Sequence, residues 1–424
     1  VFGQVGQPIP LSGLDSADPQ GDALTGSWTV ASAPVTSSLS AVDSPTGLST
    51  TLTPDVAGTY VVQLTVSDGA GEDTVDIEVR AVSALIVPDD YPTVAEAVAN
   101  ASVTTGVAVR PGHHELRDVV VGGETITLFG LGNPEEIILD GQGAGPVFTV
   151  DGGGGLTLAH VTVTGGIGNQ QGGGVHCENA QSLALHDVIV YANRNKSGHD
   201  IGRGGGIHCD LSDVTIHDSW ILDNVALEGG GVFVGGPQSE DDPDMVVDIE
   251  RTVFAGNRAD TDGGGLLVFG GGPQYIDVHN SVFMDNRAVK GAALITRTGL
   301  DYDDKWSPLI RMSHNAFVRN GVAVPDPPPE DDDPRSTFRM AQGMLQMSST
   351  VFQHNNNLQF VIDVGSNSHD AEKLGTYGLL KGNDEGDFYD DRAEGDWVTS
   401  PINADPGFLD AFGLTPLSFG PRPG

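Results

Sequence analysis

The chain has 424 residues with 58 acidic against 20 basic side chains, a net charge of −38, and 59 glycines. This charge excludes nucleic acid and anionic membrane surfaces as partners, because like charges repel, and it allows divalent cations and a saline medium. No run of 18 or more apolar residues occurs, so we predict no membrane insertion. The chain begins Val-Phe-Gly without a secretion signal, which predicts a processed product or a fragment.

Residues 1–82 alternate apolar and polar residues in short runs that turn signals separate. This pattern predicts a β-sandwich, with Trp28 and Tyr60 as its large core residues. The segments Asp18–Trp28 and Gly58–Gly69 resemble a PKD domain, and the resemblance covers nearly all of residues 1–82. It implies an Ig-like fold and an extracellular spacer or adhesion module.

Residues 120–360 repeat one unit of a Gly-rich start, three short strands and a closing asparagine. The asparagines, 29–35 residues apart, are Asn193, Asn224, Asn257, Asn286, Asn320 and Asn355. One apolar position also recurs, as Leu128, Leu158, Leu185, Ile216, Ile249, Val278, Met312 and Met347. A period near 30 with three strands predicts coils of a right-handed parallel β-helix, in which equivalent residues lie about 4.8 Å apart. The asparagines are then expected to form an amide ladder.

Two segments are expected to cover the ends of this β-helix. Residues 91–101 predict a short amphipathic helix with Val94, Ala97, Val98 and Ala101 on one face, which would cap the first coil. Residues 86–93 and 107–112 resemble the opening of pectin-lyase-like β-helix proteins, and residues 402–408 resemble the closing segment of many secreted bacterial β-helix proteins. The resemblance implies a fold but no single activity, because this fold carries lyases, hydrolases, esterases, adhesins and fibres.

The predicted fold class is therefore all-β, in two domains. The first is the PKD-like sandwich at 1–82. The second is a right-handed, single-stranded parallel β-helix at 83–424, with the capping helix at its start and an irregular cap at its C-terminal end.

Cys177 and Cys209 each follow the first glycine of a Gly triplet by five residues. Stacked coils would bring their Cα atoms within disulfide range, so a disulfide and a pair of reduced thiols both remain open. If the cysteines point into the coil, the neighbouring His176 and His208 point outward, because adjacent strand residues face opposite sides.

The resemblance implies that any active site lies on the outer face of the first strand of each coil. The residues expected there are His176, His208, Phe233, Leu267 and Ile295, with Glu178, Asp210 and Arg203 nearby. In a polysaccharide lyase, His176 or His208 would be the base and Arg203 would stabilise the developing negative charge. An inverting glycosidase needs two carboxylates with room for water between them, and on neighbouring coils Glu178 and Asp210 would be too close for that.

The alternative is that the two histidines form an exposed surface ladder without catalysis. A second column, His186, His217, Glu250 and His279, shows the same pattern. The paired aspartates of polygalacturonases and the Arg-rich motif of pectate lyases are absent from the sequence. We name no confident catalytic residue, and the sequence favours a protein that is not an enzyme.

Acidic loops interrupt several coils and supply oxygen ligands of the kind that Ca²⁺ prefers. The candidate ligands are Asp241, Asp242, Asp244, Asp301, Asp303, Asp304, Asp331 and Asp332. Their spacing matches neither an EF-hand nor an RTX repeat, and solvated loops are the alternative. The sequence predicts no organic cofactor.

Three functions follow from these observations. The first is an extracellular or cell-surface structural or adhesive protein that self-associates into a filament or layer with Ca²⁺ support, or binds surface polysaccharide. The second is a polysaccharide lyase or glycoside hydrolase. The third is carbohydrate binding without turnover, for which exposed aromatic side chains should line a groove; the candidates are Phe233, Phe269, Tyr275, Tyr302 and Trp306.

Overall fold

A computed structural model describes residues 1–169, 172–195, 202–237, 244–270, 274–297 and 309–321. Beyond these it describes seven strand segments between residues 336 and 390. The irregular C-terminal cap and the segment 402–408 lie outside the described residues. Within the described part, the chain is an N-terminal sandwich followed by a parallel β-helix, which confirms the predicted all-β architecture.

The N-terminal sandwich consists of two sheets around Trp28 and Tyr60, which are both buried as predicted. One sheet has four strands, Phe2–Gln4, Thr25–Ser32, Gly58–Ser67 and Glu72–Val82, and the other pairs Ile9–Ser12 with Ser49–Leu52. The polar ends of the two aromatic side chains are satisfied. The indole N–H of Trp28 donates to the Gly47 carbonyl at 2.8 Å, and the hydroxyl of Tyr60 donates to Asp55 at 2.8 Å.

A short helix, Val94–Val98, caps the first coil of the β-helix. It begins after Thr93, whose hydroxyl accepts the Glu96 N–H at 3.2 Å, because a hydroxyl at this position satisfies a free amide of the first turn. Val94, Ala97 and Val98 are buried and Ala101 packs against the same core. The predicted apolar face is therefore confirmed.

Two long parallel sheets and a short one form the β-helix. A ten-stranded sheet contains the first strand of each coil: Val119–Gly122, Phe148–Asp151, Val175–Glu178, Ile207–Asp210, Val232–Gly235, Leu266–Phe269, Leu294–Arg297, Ser336–Met340, Leu358–Ile362 and Tyr389–Asp390. A four-stranded corner sheet contains Ile167–Gly168, Arg194–Asn195, Val225–Ala226 and Arg258–Ala259.

The nineteen-stranded sheet forms the rest of the coil wall. Its strands are Ala84–Val87, Gly106–Val109, Gly112–Glu115, Thr125–Gly130, Ile137–Asp140, Gly155–Thr164, Ser182–Tyr191, Asp213–His217, Trp220–Leu222, Met245–Glu250, Val253–Ala255, Gln274–His279, Val282–Met284, Leu309–Ser313, Ala316–Val318, Met344–Ser348, Thr350–Gln353, Lys373–Leu374 and Gly378–Lys381. A single 3₁₀ turn, Pro134–Glu136, precedes one of them.

The stacking register confirms the predicted repeat. The eight recurring apolar residues from Leu128 to Met347 pair in one unbroken column. The asparagine ladder is present from Asn193 to Asn320, with side-chain amides joined at 3.0–3.2 Å between successive coils. Asn355, the last predicted member, lies outside the described residues.

A stack of phenylalanines, which the sequence analysis did not predict, continues the core beside this ladder. The rings of Phe254 and Phe283 are 4.6 Å apart and nearly parallel, and Phe317 follows at 5.0 Å. These side chains are fully buried. Identical residues stack here because parallel coils repeat each position at one strand spacing.

The sandwich packs against the β-helix through the outer face of the nineteen-stranded sheet. Phe2 lies in a buried cluster with Ala108, Phe129 and Ala159, three residues that the register places side by side on that face. In the next two coils the same column is occupied by His186 and His217. The column is therefore apolar in the coils that form this buried cluster and becomes polar at His186.

Candidate functional site

The candidate site lies on the outer face of the ten-stranded sheet, at the four strands from Val175–Glu178 to Leu266–Phe269 that each follow a Gly triplet and at the next strand, Leu294–Arg297. The first glycine of each triplet has a positive φ, as at Gly229 (+62°), where an added Cβ would come within 2.7 Å of the Phe233 Cβ. Glycine is required there because other residues rarely adopt this backbone conformation. The tight corner places the outward residues of successive strands directly beside each other.

Two outward rows result, and they confirm the predicted register. The first row, at the second residue of each strand, consists of His176, His208, Phe233, Leu267 and Ile295. The second row, two residues further along each strand, is Glu178, Asp210, Gly235, Phe269 and Arg297. The structure thus brings the histidines and the carboxylates of the prediction together on one surface.

The two histidines form a stacked pair. Their rings are 5.4 Å apart at an angle of 7°, with the Nδ1 atoms 3.3 Å from each other. The ring of Phe233 covers His208 at 5.0 Å, and the His208 side chain is fully buried. The expectation of an exposed imidazole pair is therefore wrong for His208, because an aromatic side chain of the next coil covers it. His176 is 15 % exposed.

Each histidine has a carboxylate beside it. His176 Nε2 lies 3.8 Å from Glu178 Oε2, and His208 Nε2 lies 3.4 Å from Asp210 Oδ2. The second contact lacks hydrogen-bond geometry, and within the described part of the chain no other group bonds that nitrogen. Burial, followed by the neighbouring His208, lowers the pKa of His176, so the imidazole of His176 is neutral near neutral pH.

Asp210 remains ionised in this environment. Burial by itself would raise its pKa, but the interaction with His208 and the charge of Arg203 outweigh burial and lower the pKa. The site therefore holds neutral imidazole next to carboxylate. That combination suits general-base chemistry, and of the two imidazoles only that of His176 is exposed, because the His208 side chain is fully buried.

Arg203, the predicted stabiliser of negative charge, is already paired. Its Nε donates to Glu228 Oε2 at 3.2 Å, and its guanidinium lies over the rings of Phe233 at 4.9 Å and Phe269 at 5.5 Å. Arg297 reaches the same Glu228 carboxylate at 2.5 Å. The arginines are thus held by a carboxylate and by aromatic faces.

No sequence-based prediction assigned a role to Glu228, Asp262 or Arg297. Arg297 donates to both Glu228 and Asp262, so this ion-pair group spans several coils. A signal for part of it exists in the sequence, because a charged residue precedes four of the five Gly-rich starts: Arg203, Glu228, Asp262 and Lys290. In the structure, the backbone of Arg203 pairs with that of Glu228, and the backbone of Asp262 pairs with that of Lys290, each as a parallel bridge.

The cysteines lie on the opposite side of the same strands. Cys177 and Cys209 pair in register, point into the coil as predicted, and are fully buried free thiols. Burial and the neighbouring Cys177 raise the pKa of the Cys209 thiol well above its usual range.

Most of the predicted Ca²⁺ ligands cannot be placed. Seven of them lie outside the described residues: Asp241, Asp242, Asp301, Asp303, Asp304, Asp331 and Asp332. Asp244 is described and is exposed just before the strand Met245–Glu250. Among the described residues, no group of three or more His, Cys, Asp or Glu side chains has an arrangement that could hold a metal ion.

The predicted aromatic groove is only partly described. Phe233 is buried and Phe269 partly buried, whereas Tyr275 is 43 % exposed on the nineteen-stranded sheet. Tyr302 and Trp306 lie outside the described residues. No helix in the described ranges is long and apolar enough to cross a membrane.

Comparison with known proteins identifies the first domain. The family model of the PKD domain matches residues 1–81, which confirms the resemblance seen in the sequence. Among solved structures, the chain is similar to the pectin methylesterase from Aspergillus niger in deglycosylated form. The two are 10 % identical, the match covers 76 % of this chain and 91 % of the other, and the TM-score is 0.25. No curated protein matches the chain.

Proposed function

We propose that this chain is an extracellular or cell-surface structural or adhesive protein, in which a PKD domain is joined to a stiff β-helical rod. The observation that carries the proposal is the state of the residues that catalysis would need. His208 is buried beneath Phe233, and Arg203 is neutralised by Glu228. Groups that are bonded to each other strengthen the rod and are not free to act on a substrate.

The stiffness of the rod also supports this role. The asparagine ladder and the phenylalanine stack run through successive coils, so the described coils share one continuous core. A repeat protein of this kind gains stability from each neighbouring interface. An acidic surface with a net charge of −38 suits a saline medium.

We propose in addition that the rods self-associate with Ca²⁺ bridging their acidic loops. The support is compositional: clustered aspartates on neighbouring chains repel each other unless a divalent cation screens them. The experiment is light scattering and electron microscopy of the full chain in saline with Ca²⁺, with Mg²⁺ and after chelation. Assembly that chelation reverses is expected.

A matched pair of variants separates a loop effect from a general charge effect. The triple change Asp241→Asn, Asp242→Asn and Asp244→Asn should weaken assembly. The triple change Asp73→Asn, Asp76→Asn and Glu78→Gln removes the same charge from the sandwich and should leave assembly unchanged. Monomers under every condition would refute self-association.

A second candidate is a polysaccharide-active enzyme, favoured by the neutral imidazole of His176 beside Glu178 at the accessible edge of the site. The test is product release from a panel of polysaccharides, with His176→Ala and Glu178→Gln as active-site variants and His279→Ala as the matched control. Turnover that both active-site changes abolish and the control retains would establish this function. Binding to a polysaccharide without turnover would establish the third candidate, with Tyr275→Ala as its variant.

A further inference from the structure

A histidine stands at the edge of the contact between the PKD domain and the β-helix. The centre of the Phe2 ring lies 5.3 Å from the centre of the His186 ring. The guanidinium of Arg80 lies over the same Phe2 ring, 5.6 Å from its centre. Phe2 therefore contacts both a cation of the sandwich and an imidazole of the β-helix. His186 is half-buried by this contact.

The charges around His186 come from both domains. The sandwich contributes Arg80. The β-helix contributes His217, whose ring meets His186 edge-on at 5.7 Å, and Asp218. Asp218 is already held by Arg251 through bonds of 2.6 and 2.9 Å, and His217 by Asp248 at 3.0 Å. Asp218 is thus engaged by Arg251, whereas Arg80, which pairs with Glu78 at 3.5 Å, adds positive charge at the position of His186.

A second histidine takes part in the same contact. His160 Nδ1 lies 2.7 Å from Asp187 Oδ2, and His160 Nε2 accepts the backbone N–H of Phe2 at 3.4 Å. His160 thus ties the backbone of Phe2 to the β-helix beside His186.

Solvent reaches this junction. A cleft of about 550 Å³ opens between the two domains, with Gln4, Arg110, His160 and Asp187 among its lining residues. Protons can therefore exchange at the contact while the domains remain docked.

We propose that protonation of His186 weakens the docking of the PKD domain on the β-helix, which makes the domain junction an acid-sensitive hinge. A charged imidazole at this half-buried position would be repelled by the positive charge of Arg80 and would lose part of its hydration. Both effects disappear when the sandwich moves away. The chain between the domains, around Ser83, then serves as the pivot.

The direction of the pH effect follows from linkage. Burial, followed by Arg80 and His217, lowers the pKa of His186 from 6.5 to about 4 in the docked state. A group with a lower pKa in one state favours that state at high pH. Docking is therefore at full strength above pH 6.5 and weakens as the pH falls toward 4, by less than roughly 300-fold in the docking equilibrium, because the contribution of His217 persists in the undocked state.

The test is hydrogen exchange of the full chain between pH 7 and 4, corrected for the intrinsic exchange rate, together with small-angle scattering. Peptides that contain Phe2–Gln4 and Thr125–Gly130 are expected to lose protection as the pH falls, and the maximum dimension should change with them. Core peptides Gly58–Ser67 and Gly155–Thr164 should stay protected. Loss of protection in the cores together with the junction would overturn the proposal, because it would signal unfolding.

Two variants and a control decide the role of His186. His186→Gln and His186→Ala, the latter copying Ala159 of the preceding coil, should shift or abolish the acid transition. His279→Gln, in the same column but away from the sandwich, should retain it. An acid transition that is unchanged in His186→Gln, or no transition in the unaltered chain, would overturn the proposal. If both substitutions undock the domains at pH 7, a midpoint of the unaltered chain outside the range from pH 4 to 6.5 would overturn the proposal.

Discussion

The asparagine ladder should make a large and local contribution to stability, which the change Asn257→Ala measures. The Oδ1 atom of Asn257 accepts the backbone N–H of Asn224 and its side-chain amide, both at 3.1 Å. The Nδ2 atom donates to the Ile221 carbonyl at 2.7 Å and to Asn286 Oδ1 at 3.0 Å. Truncation to alanine removes all four bonds at once, within a fully buried turn.

The expected cost follows from the groups left behind. A buried polar group without a partner costs about 1–3 kcal/mol. The change leaves the backbone N–H of Asn224 without a partner, and it removes one hydrogen bond each from the Asn224 side-chain amide, the Ile221 carbonyl and Asn286 Oδ1. We therefore expect the free energy of unfolding to fall by about 3–5 kcal/mol. Denaturant unfolding followed by circular dichroism measures this loss, and hydrogen exchange should show the largest change at the Asn224 amide.

Two further variants test the reasoning. Asn257→Asp keeps the acceptor but loses the donor and buries a charge, so it should destabilise the chain at least as much near neutral pH. Asn100→Ala, at an exposed residue with one bond to the Glu96 carbonyl, should cost less than about 1 kcal/mol. If Asn257→Ala unfolds within 1 kcal/mol of the unaltered chain, roughly the cost of a single solvated bond, the ladder is not a main source of stability.

Three other predictions concern the core, the cysteines and the sandwich. Phe283→Ala should lower the free energy of unfolding by about 3–5 kcal/mol, because it opens a cavity between the rings of Phe254 and Phe317. Thermal melts should show a smaller loss of stability for Phe283→Leu, and equal losses for the two variants would argue against ring packing. Cys177 and Cys209 should resist alkylation at pH 8 in the native state, because both are buried and the pKa of Cys209 is raised. After denaturation two thiols should react, and fewer than two would indicate a disulfide. Hydrogen bonds from Ser37, Ser38 and Tyr60 hold the pKa of Asp55 well below its usual range. The sandwich should therefore keep this stabilisation above about pH 3.8 and lose it below, and Asp55→Asn should flatten that pH dependence as measured by exchange of Gly58–Ser67.

The sequence by itself determined the positions along each coil. The recurring column from Leu128 to Met347, the asparagine ladder and the in-register cysteines could all be predicted, because parallel coils place equivalent residues one strand spacing apart. The alternation of strand residues likewise put the cysteines inside and His176 and His208 outside. These features depend only on the repeat period and the side-chain direction.

Only the tertiary structure decided what covers each outward residue. His208 is buried because Phe233 of the next coil lies over it, and Arg203 is neutralised because Glu228 reaches it from another corner. The docking of the sandwich on Ala108, Phe129 and Ala159 likewise joins residues far apart in the chain. The repeat period fixes which face of the sheet a side chain is on. The burial, the ion pairing and the pKa of that side chain depend on its neighbours, which are set by side-chain rotamers, by the corners of the coils and by the second domain.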